Sequence, residues 1–325
     1  MRAWIVSQTE QGPTASLHTD FSEHDLMDGE VTVEVEYSSV NFKDGLAISG
    51  RPGVVRRHPL IAGIDVVGVV RESSSPGWMP GDRVFANGQG LGETHHGGYA
   101  EVARVPARWL QRAPDALSSA QIAAIGTAGF TAMMSVLRLA DADALGGEVV
   151  VTGASGGVGT LATLLLAGRG VHVVASSGSH DQHDMLRRLG ARDIQDRSHL
   201  SEPGKPLQNE RWSGAIDSVG GPTLANVLSQ TRYGGTVTAC GLASGPDLPA
   251  SVMPFILRGV TLAGINSVFA PHELRERAWA ALAAEIDLAA LDSITRTVPL
   301  DAVSEVAHDI LTGAVHGRVV VDVRA

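Results

Sequence analysis

Gly153, Gly156 and Gly159, in the stretch VVVTGASGGVG (149–159), have the type and spacing of a turn that binds a dinucleotide. Without a Cβ, Gly153 can make the tight bend from strand to helix. Gly156 and Gly157 let the main chain approach a pyrophosphate, which the free N–H groups of a helix N-terminus then hold. The next strand decides which dinucleotide. A site for NAD places Asp or Glu about 20 residues past the turn, to bind the ribose hydroxyls. Here the strand VHVVA runs into Ser176, Ser177, Gly178 and Ser179, with no carboxylate before Asp181. A carboxylate would repel a 2′-phosphate, whereas small hydroxyl residues leave room for it and donate to it. These residue types point to NADPH, unless the serines only cap the following helix.

The second constellation is defined by what is missing. Alcohol oxidation in a two-domain dehydrogenase is commonly assisted by zinc, held by three His, Cys or carboxylate ligands. The single cysteine, Cys240, excludes a thiolate cage and any intramolecular disulfide. Zinc enzymes of this layout have a Cys where this chain has Asn41, and Gly-His-Glu where it has Gly63, Ile64 and Asp65. His95 and His96 are adjacent, so in a strand they point to opposite faces. No zinc site is expected. Without a metal to polarise an alcohol, hydride delivery to an already activated C=C bond becomes the feasible chemistry.

The elements that must position these residues are legible from pattern. Residues 29–40, GEVTVEVEYSSV, alternate apolar and polar as a half-buried strand does. GIDVVGVV and GDRVFANG follow, punctuated by Gly, Pro and Ser, and suggest a small irregular barrel over the first ~120 residues. From Ser118, which with Gln121 forms a capping box, the spacing turns helical. After residue 149 short apolar strands alternate with helices at 157–169, 181–189 and 222–231. That alternation is the mark of a parallel sheet built from βαβ units. VTLAGINSV (260–268) would add its last strand, a helix should cover about 272–286, and GRVVVDV (317–323) would return to the first domain.

Composition limits partners. A formal net charge of −10 over 325 residues, with 18% charged and 44% hydrophobic residues, disfavours nucleic acid. No apolar run reaches the ~18 residues of a membrane span, and the N-terminus lacks a signal-like core, so a cytoplasmic setting is expected.

Taken together, SSVNFKDGLAISG (38–50), HPLIAGIDVVGVV (58–70), GLGETHHGGYAEVARV (90–105), IGTAGFTAM (125–133), the glycine turn, GAIDSVG (214–220), ACGLASG (239–245) and VMPFILRGVTLAGINSV (252–268) resemble one family end to end. It is that of the zinc-independent medium-chain dehydrogenase/reductases of the AcuI/YhdH type. The resemblance implies an α/β chain with a discontinuous GroES-like β-barrel catalytic domain (1–122 and 269–325) and a Rossmann domain (123–268). It further implies a homodimer that reduces acrylyl-CoA with NADPH. Carried onto this chain, it implies that Ser155, Gly156, Gly157 and Val158 hold the pyrophosphate. Ser177, Gly178 and Ser179 would face the 2′-phosphate. Ser218, Cys240, Gly241, Leu242, Asn41 and Phe42 would line the nicotinamide region, and Arg318 would reach back to the cofactor and couple the domains. Three departures stand out: Phe42 replaces the usual Tyr and removes a phenol, Ser179 replaces the usual Arg, and two Trp-containing loops are here GQG (88–90) and HHGG (95–98).

For a 2-enoyl-CoA substrate, Asn41 would donate to the enolate from its amide. Lys43 would polarise the thioester or supply a proton, with Asp44 orienting Lys43; a plain surface turn with a Lys–Asp pair reads equally well. Arg51, Arg56 and Arg57 form the nearest basic cluster for the CoA phosphates, although loop arginines are often merely solvated. Cys240 ends an apolar strand and reads as a packing residue. The alternatives are a quinone or enone reductase, and a non-catalytic NADPH-binding protein.

Overall fold

The computed structural model describes all 325 residues. The chain divides into two units, Met1–Thr127 with Leu291–Ala325, and Ala128–Ala290.

In the first unit the alternating stretch forms the strand Val31–Ser39, with Val31, Val33 and Val35 fully buried. It is the spine of a seven-stranded sheet. Asp65–Ser73 and Val102–Val105 pair with it antiparallel, and Arg83–Asn87 follows Asp65–Ser73. Register shifts at Thr32/Val33 and Val35/Tyr37 bend this spine, as bulges do where a sheet curls toward a barrel. The C-terminal strand Arg318–Asp322 lies antiparallel on Val31–Ser39 and carries Thr295–Pro299 at the edge, so the chain's end does return to the first unit. Two helices, Phe42–Ile48 and Val303–Thr312, meet where Gly45 has no Cβ. A Cβ there would fall 2.6 Å from Cγ2 of Ile310.

The second unit holds a six-stranded parallel sheet in the order Asp193–Asp196, His172–Ser177, Glu148–Thr152, Trp212–Asp217, Thr231–Ala239, Thr261–Gly264. Strand order reverses on either side of Glu148–Thr152. The crevice beyond the C-terminal end of that strand is therefore the topological switch point where α/β sheets bind ligands. Val150, Val174, Ala215 and Val237 fill the core beneath it.

The expected domain boundaries shift on both sides. Helix Ser119–Asp141 starts from the reciprocal Ser118–Gln121 box, but it breaks at Gly126 (φ 47°, ψ −156°). The freed N–H of Thr127 donates to the Asp65 carboxylate at 3.1 Å, and its hydroxyl does so at 2.6 Å. Residues 123–127 thus stay with the first unit rather than the Rossmann domain. Residues 269–290 leave the catalytic domain for the second unit, because the helix His272–Glu285 packs there. Trp279 stacks on Phe130, Glu285 takes a two-pronged bond from Arg169, and Arg277 pairs with Asp141 at 2.6 Å. Helix Ser119–Asp141 is also long and apolar enough to cross a membrane by its mean hydropathy, although polar residues interrupt its apolar run. Its apolar window is 89% buried, as befits a core helix.

Candidate active site

The glycine turn stands at the switch point. Gly153 takes φ +59°, a conformation that side chains with a Cβ rarely adopt. Gly156 caps the helix Gly157–Gly168, whose first turn carries no acidic side chain. Gly159 lies so close to the Gly153 carbonyl and the Ala154 Cα that a Cβ would collide with both. Ser155, Gly156, Gly157 and Val158 are all partly exposed, leaving the first N–H groups of the helix open to an anion.

One strand over, Ser177 Oγ lies 3.3 Å from Ser155 Oγ and accepts the N–H of Ser179 at 3.1 Å. The structure thus brings the turn and the Ser177–Gly178–Ser179 loop together. It also adds a residue that sequence reasoning missed. Arg197 lies across Gly178, where any Cβ would strike its Nε and Cδ, and its N–H donates to the Ser177 carbonyl at 3.2 Å. Arg197 is exposed and forms no ion pair within 4 Å. Its signal in the sequence was position: it is the first basic residue after the third strand, and the ends of the second and third strands of this fold are neighbours. The register pairs Ser177 with Asp196, immediately before it. A cradle of glycine, serine hydroxyls and an unpaired guanidinium suits a phosphate monoester.

Ser218 and the Cys240–Gly241–Leu242 turn lie at the ends of the fourth and fifth strands. Ser218 bonds Thr152 through both its N–H (3.2 Å) and its hydroxyl (3.0 Å), and Gly241 lies flush on the Ser218 backbone. Leu242 is exposed. Burial pushes the Cys240 thiol up to about 12, and its Sγ donates to the Asp217 carbonyl, so it packs rather than reacts.

The first unit holds a buried polar cluster that corrects several expectations. Asp65 accepts from Ser39 Oγ (2.5 Å), Asn41 Nδ2 (2.9 Å), Asn87 Nδ2 (2.7 Å) and Thr127. Asp44 accepts the N–H groups of Asn41 (2.9 Å) and Ile64 (3.0 Å), as an N-cap partner of its own helix. It does not orient Lys43. Adjacent helical residues point about 100° apart, and Lys43 Nζ instead pairs with Glu93 at 2.6 Å. Asn41 is not a free amide donor, because its NH₂ is held by Asp65 and, at 3.1 Å, by Asp44. Arg318 lies enclosed within the first unit. It is 2% exposed, with Nε on the Ala124 carbonyl (2.6 Å) and Nη2 on Ser39 Oγ (3.0 Å). One guanidinium faces two carboxyls here. Burial, then the charge of Asp65, pushes Asp44 up to about 7, against the N–H bonds that favour its carboxylate. A proton kept on Asp44 brings the buried charge toward zero.

Phe42 opens its helix at 39% exposure. Arg51, Arg56 and Arg57 are exposed, Arg56 lying 3.9 Å from the second oxygen of Glu93. His95 and His96 are structural: His96 Nδ1 accepts the N–H of Ile61 at 3.0 Å, and His95 Nε2 lies 2.8 Å from the Arg104 carbonyl.

With this geometry described, comparison with known proteins gives the family. The alcohol dehydrogenase GroES-like domain matches residues 27–115 and the zinc-binding dehydrogenase domain matches 157–284. Acrylyl-CoA reductase AcuI of Ruegeria pomeroyi is 47% identical, over 99% of both chains. The chain belongs to the AcuI/YhdH branch of the medium-chain dehydrogenase/reductases. Two solved structures are similar to it over nearly the whole chain. The yhdH oxidoreductase of Salmonella enterica in complex with NADP superposes with a TM-score of 0.97, at 44% identity over 99% of this chain and 100% of that one. Bacillus subtilis yhfP with NAD bound gives 0.93, at 40% identity over 99% of each. AcuI/YhdH members are oxidoreductases, and in this one Asn41 and Asp65, two of the positions at which it departs from zinc enzymes of this layout, are locked in the buried cluster.

Proposed function

We propose that the chain reduces the C=C bond of a short 2-enoyl-CoA, acrylyl-CoA to propionyl-CoA, with NADPH and without a metal. The observation that carries the reading is Arg197 over Gly178, the charge that a 2′-phosphate requires, beside a glycine turn at the switch point. Bound NADPH supplies a hydride to the β-carbon of the enoyl thioester. The glycine turn and its helix N-terminus hold the pyrophosphate, while Ser177, Ser179 and Arg197 hold the 2′-phosphate. The electron pair displaced from the C=C bond becomes a thioester enolate, which takes a proton at the α-carbon. With Phe42 lacking a hydroxyl and Asn41 engaged internally, Lys43 is the proton source, its ammonium steadied by Glu93. Arg51, Arg56 and Arg57 meet the CoA phosphates.

The protein works as a cytoplasmic homodimer on this reading. The lone cysteine suits a reducing compartment. Val252, Ile256 and Leu257 expose apolar surface within and before Met253–Arg258, next in sequence to the edge strand Thr261–Gly264, which supports pairing through that edge.

Steady-state kcat/KM with NADPH and acrylyl-CoA, crotonyl-CoA or a quinone tests the assignment. Acrylyl-CoA should give the highest value; a far higher value with the quinone would overturn it. NADPH binding without turnover of any of the three would favour a non-catalytic role.

A further inference from the structure

We propose that His180 and Asp196 form a pH-dependent part of the 2′-phosphate pocket: protonated His180 neutralises Asp196, and preference for NADPH over NADH weakens as His180 loses its proton. The inference rests on the cofactor assignment above and adds a regulator of its specificity.

Asp196 ends the third strand in register with Ser177, and neighbouring strands lie only ~4.8 Å apart. The carboxylate is thus set beside the hydroxyl proposed to meet the phosphate, and directly before Arg197. It accepts the Ser198 N–H at 2.8 Å, and Ser198, with His180 and His199, holds it below the usual carboxylate range. It is therefore a permanent negative charge next to the one guanidinium that should attract a 2′-phosphate. Left alone it would cancel much of that attraction, which makes a carboxylate here a poor feature for an NADPH site.

His180 supplies the compensation. It lies in the short turn His180–Gln182 directly after Ser179, with Nε2 3.3 Å from Asp196 Oδ2. The other charged and titratable groups around it are accounted for. His183 packs its ring edge-on against His180 at 5.0 Å. Asp181 accepts a bond from Gln182 at 2.6 Å, and Asp184 faces Arg187 at 3.6 Å. As imidazolium, His180 closes an ion pair with Asp196 and leaves the Arg197 charge to the ligand. As neutral imidazole it leaves Asp196 uncompensated, and the repulsion falls on the cofactor carrying the extra phosphate. NADH lacks that phosphate and serves as the internal control.

The test is the affinity of the full chain for NADPH and for NADH, read by fluorescence at about pH 6 and about pH 8.5, either side of the range in which histidines change charge. Relative to His180→Gln, the wild-type preference for NADPH should fall about three- to tenfold between the two, as expected for one charge at the pocket. His180→Gln should show the lower preference at both pH values, changing only as the phosphate itself titrates. Asp196→Asn, which keeps an oxygen for the Ser198 cap, should hold the higher one. The 2′-phosphate takes up a proton near pH ~6, but it does so in every variant and cancels between them. An unchanged slope in His180→Gln, compared with the wild type, overturns the inference. Arg197→Ala separates the two levels. If it leaves NADPH affinity intact, the pocket itself is misplaced; if it weakens NADPH while His180→Gln keeps the wild-type slope, only the switch is wrong.

Discussion

Arg197 and Arg318 carry the same side chain to opposite purposes. Arg318 is enclosed, its donors committed to Ala124 and Ser39, and its charge set against Asp44 and Asp65. Arg197 lies on the surface across a glycine, with no ion pair of its own. An arginine whose donors are consumed inside the fold supports the fold, and one left unpaired beside a ligand turn is available to a ligand. The family resemblance pointed to Arg318 as the cofactor's arginine, and this chain's departure at Ser179 left the phosphate without one.

Substitutions can break this contrast, beginning with the most damaging. Arg318→Met should cost about 3–5 kcal/mol of stability, because it leaves two buried carboxyls without their cation. Urea denaturation would measure it, and a loss below ~1 kcal/mol would contradict the buried-charge account. Arg197→Ala should instead weaken NADPH about ten- to a hundredfold, the worth of a charge-assisted hydrogen bond. It should leave NADH affinity and the denaturation midpoint unchanged, and equal losses for both nucleotides would show that the residue is structural.

Asp44→Asn probes the protonation of the enclosed cluster. The carboxyl is raised in the folded chain, to about 7 from an ordinary 3.8. Between those values the folded state binds more proton than the unfolded one, so this group's contribution to stability declines as pH rises and levels off above about 7. The wild type should lose about 2 kcal/mol between pH ~5 and ~7 relative to Asp44→Asn. Parallel stability curves for the two proteins would show that Asp44 stays ionised. The smallest effect should come from Ser179→Arg. With Arg197 already in place, a second guanidinium should tighten NADPH only a few-fold, and an unchanged preference would remove position 179 from the pocket.

The sequence showed what is local and periodic. The Gly153 bend, the Ser118–Gln121 box, the parallel strands and the returning C-terminal strand all express themselves within a few residues or in a repeat. What stayed hidden depends on direction or on distance along the chain. NFKD places Lys43 and Asp44 side by side on paper, yet the ~100° step between adjacent helical residues sends them to different partners, Glu93 and the backbone of Asn41. Arg197 is 18 positions past Ser179, and only the neighbourhood of two parallel strand ends joins them. The break at Gly126 was invisible because its cause, the Asp65 carboxylate, lies 61 positions upstream.

That break limits which mutations the chain can survive. A Cβ at residue 126 would fall 2.8 Å from Asp65 Oδ2 and from Ser39 Oγ, and 3.2 Å from Arg318 Nη2, in a backbone conformation other residues rarely adopt. A drift from glycine here would have to be matched at once on three separate strands. In a saturation library, position 126 should therefore tolerate almost nothing, although it sits within what is assigned as one continuous helix, Ser119–Asp141.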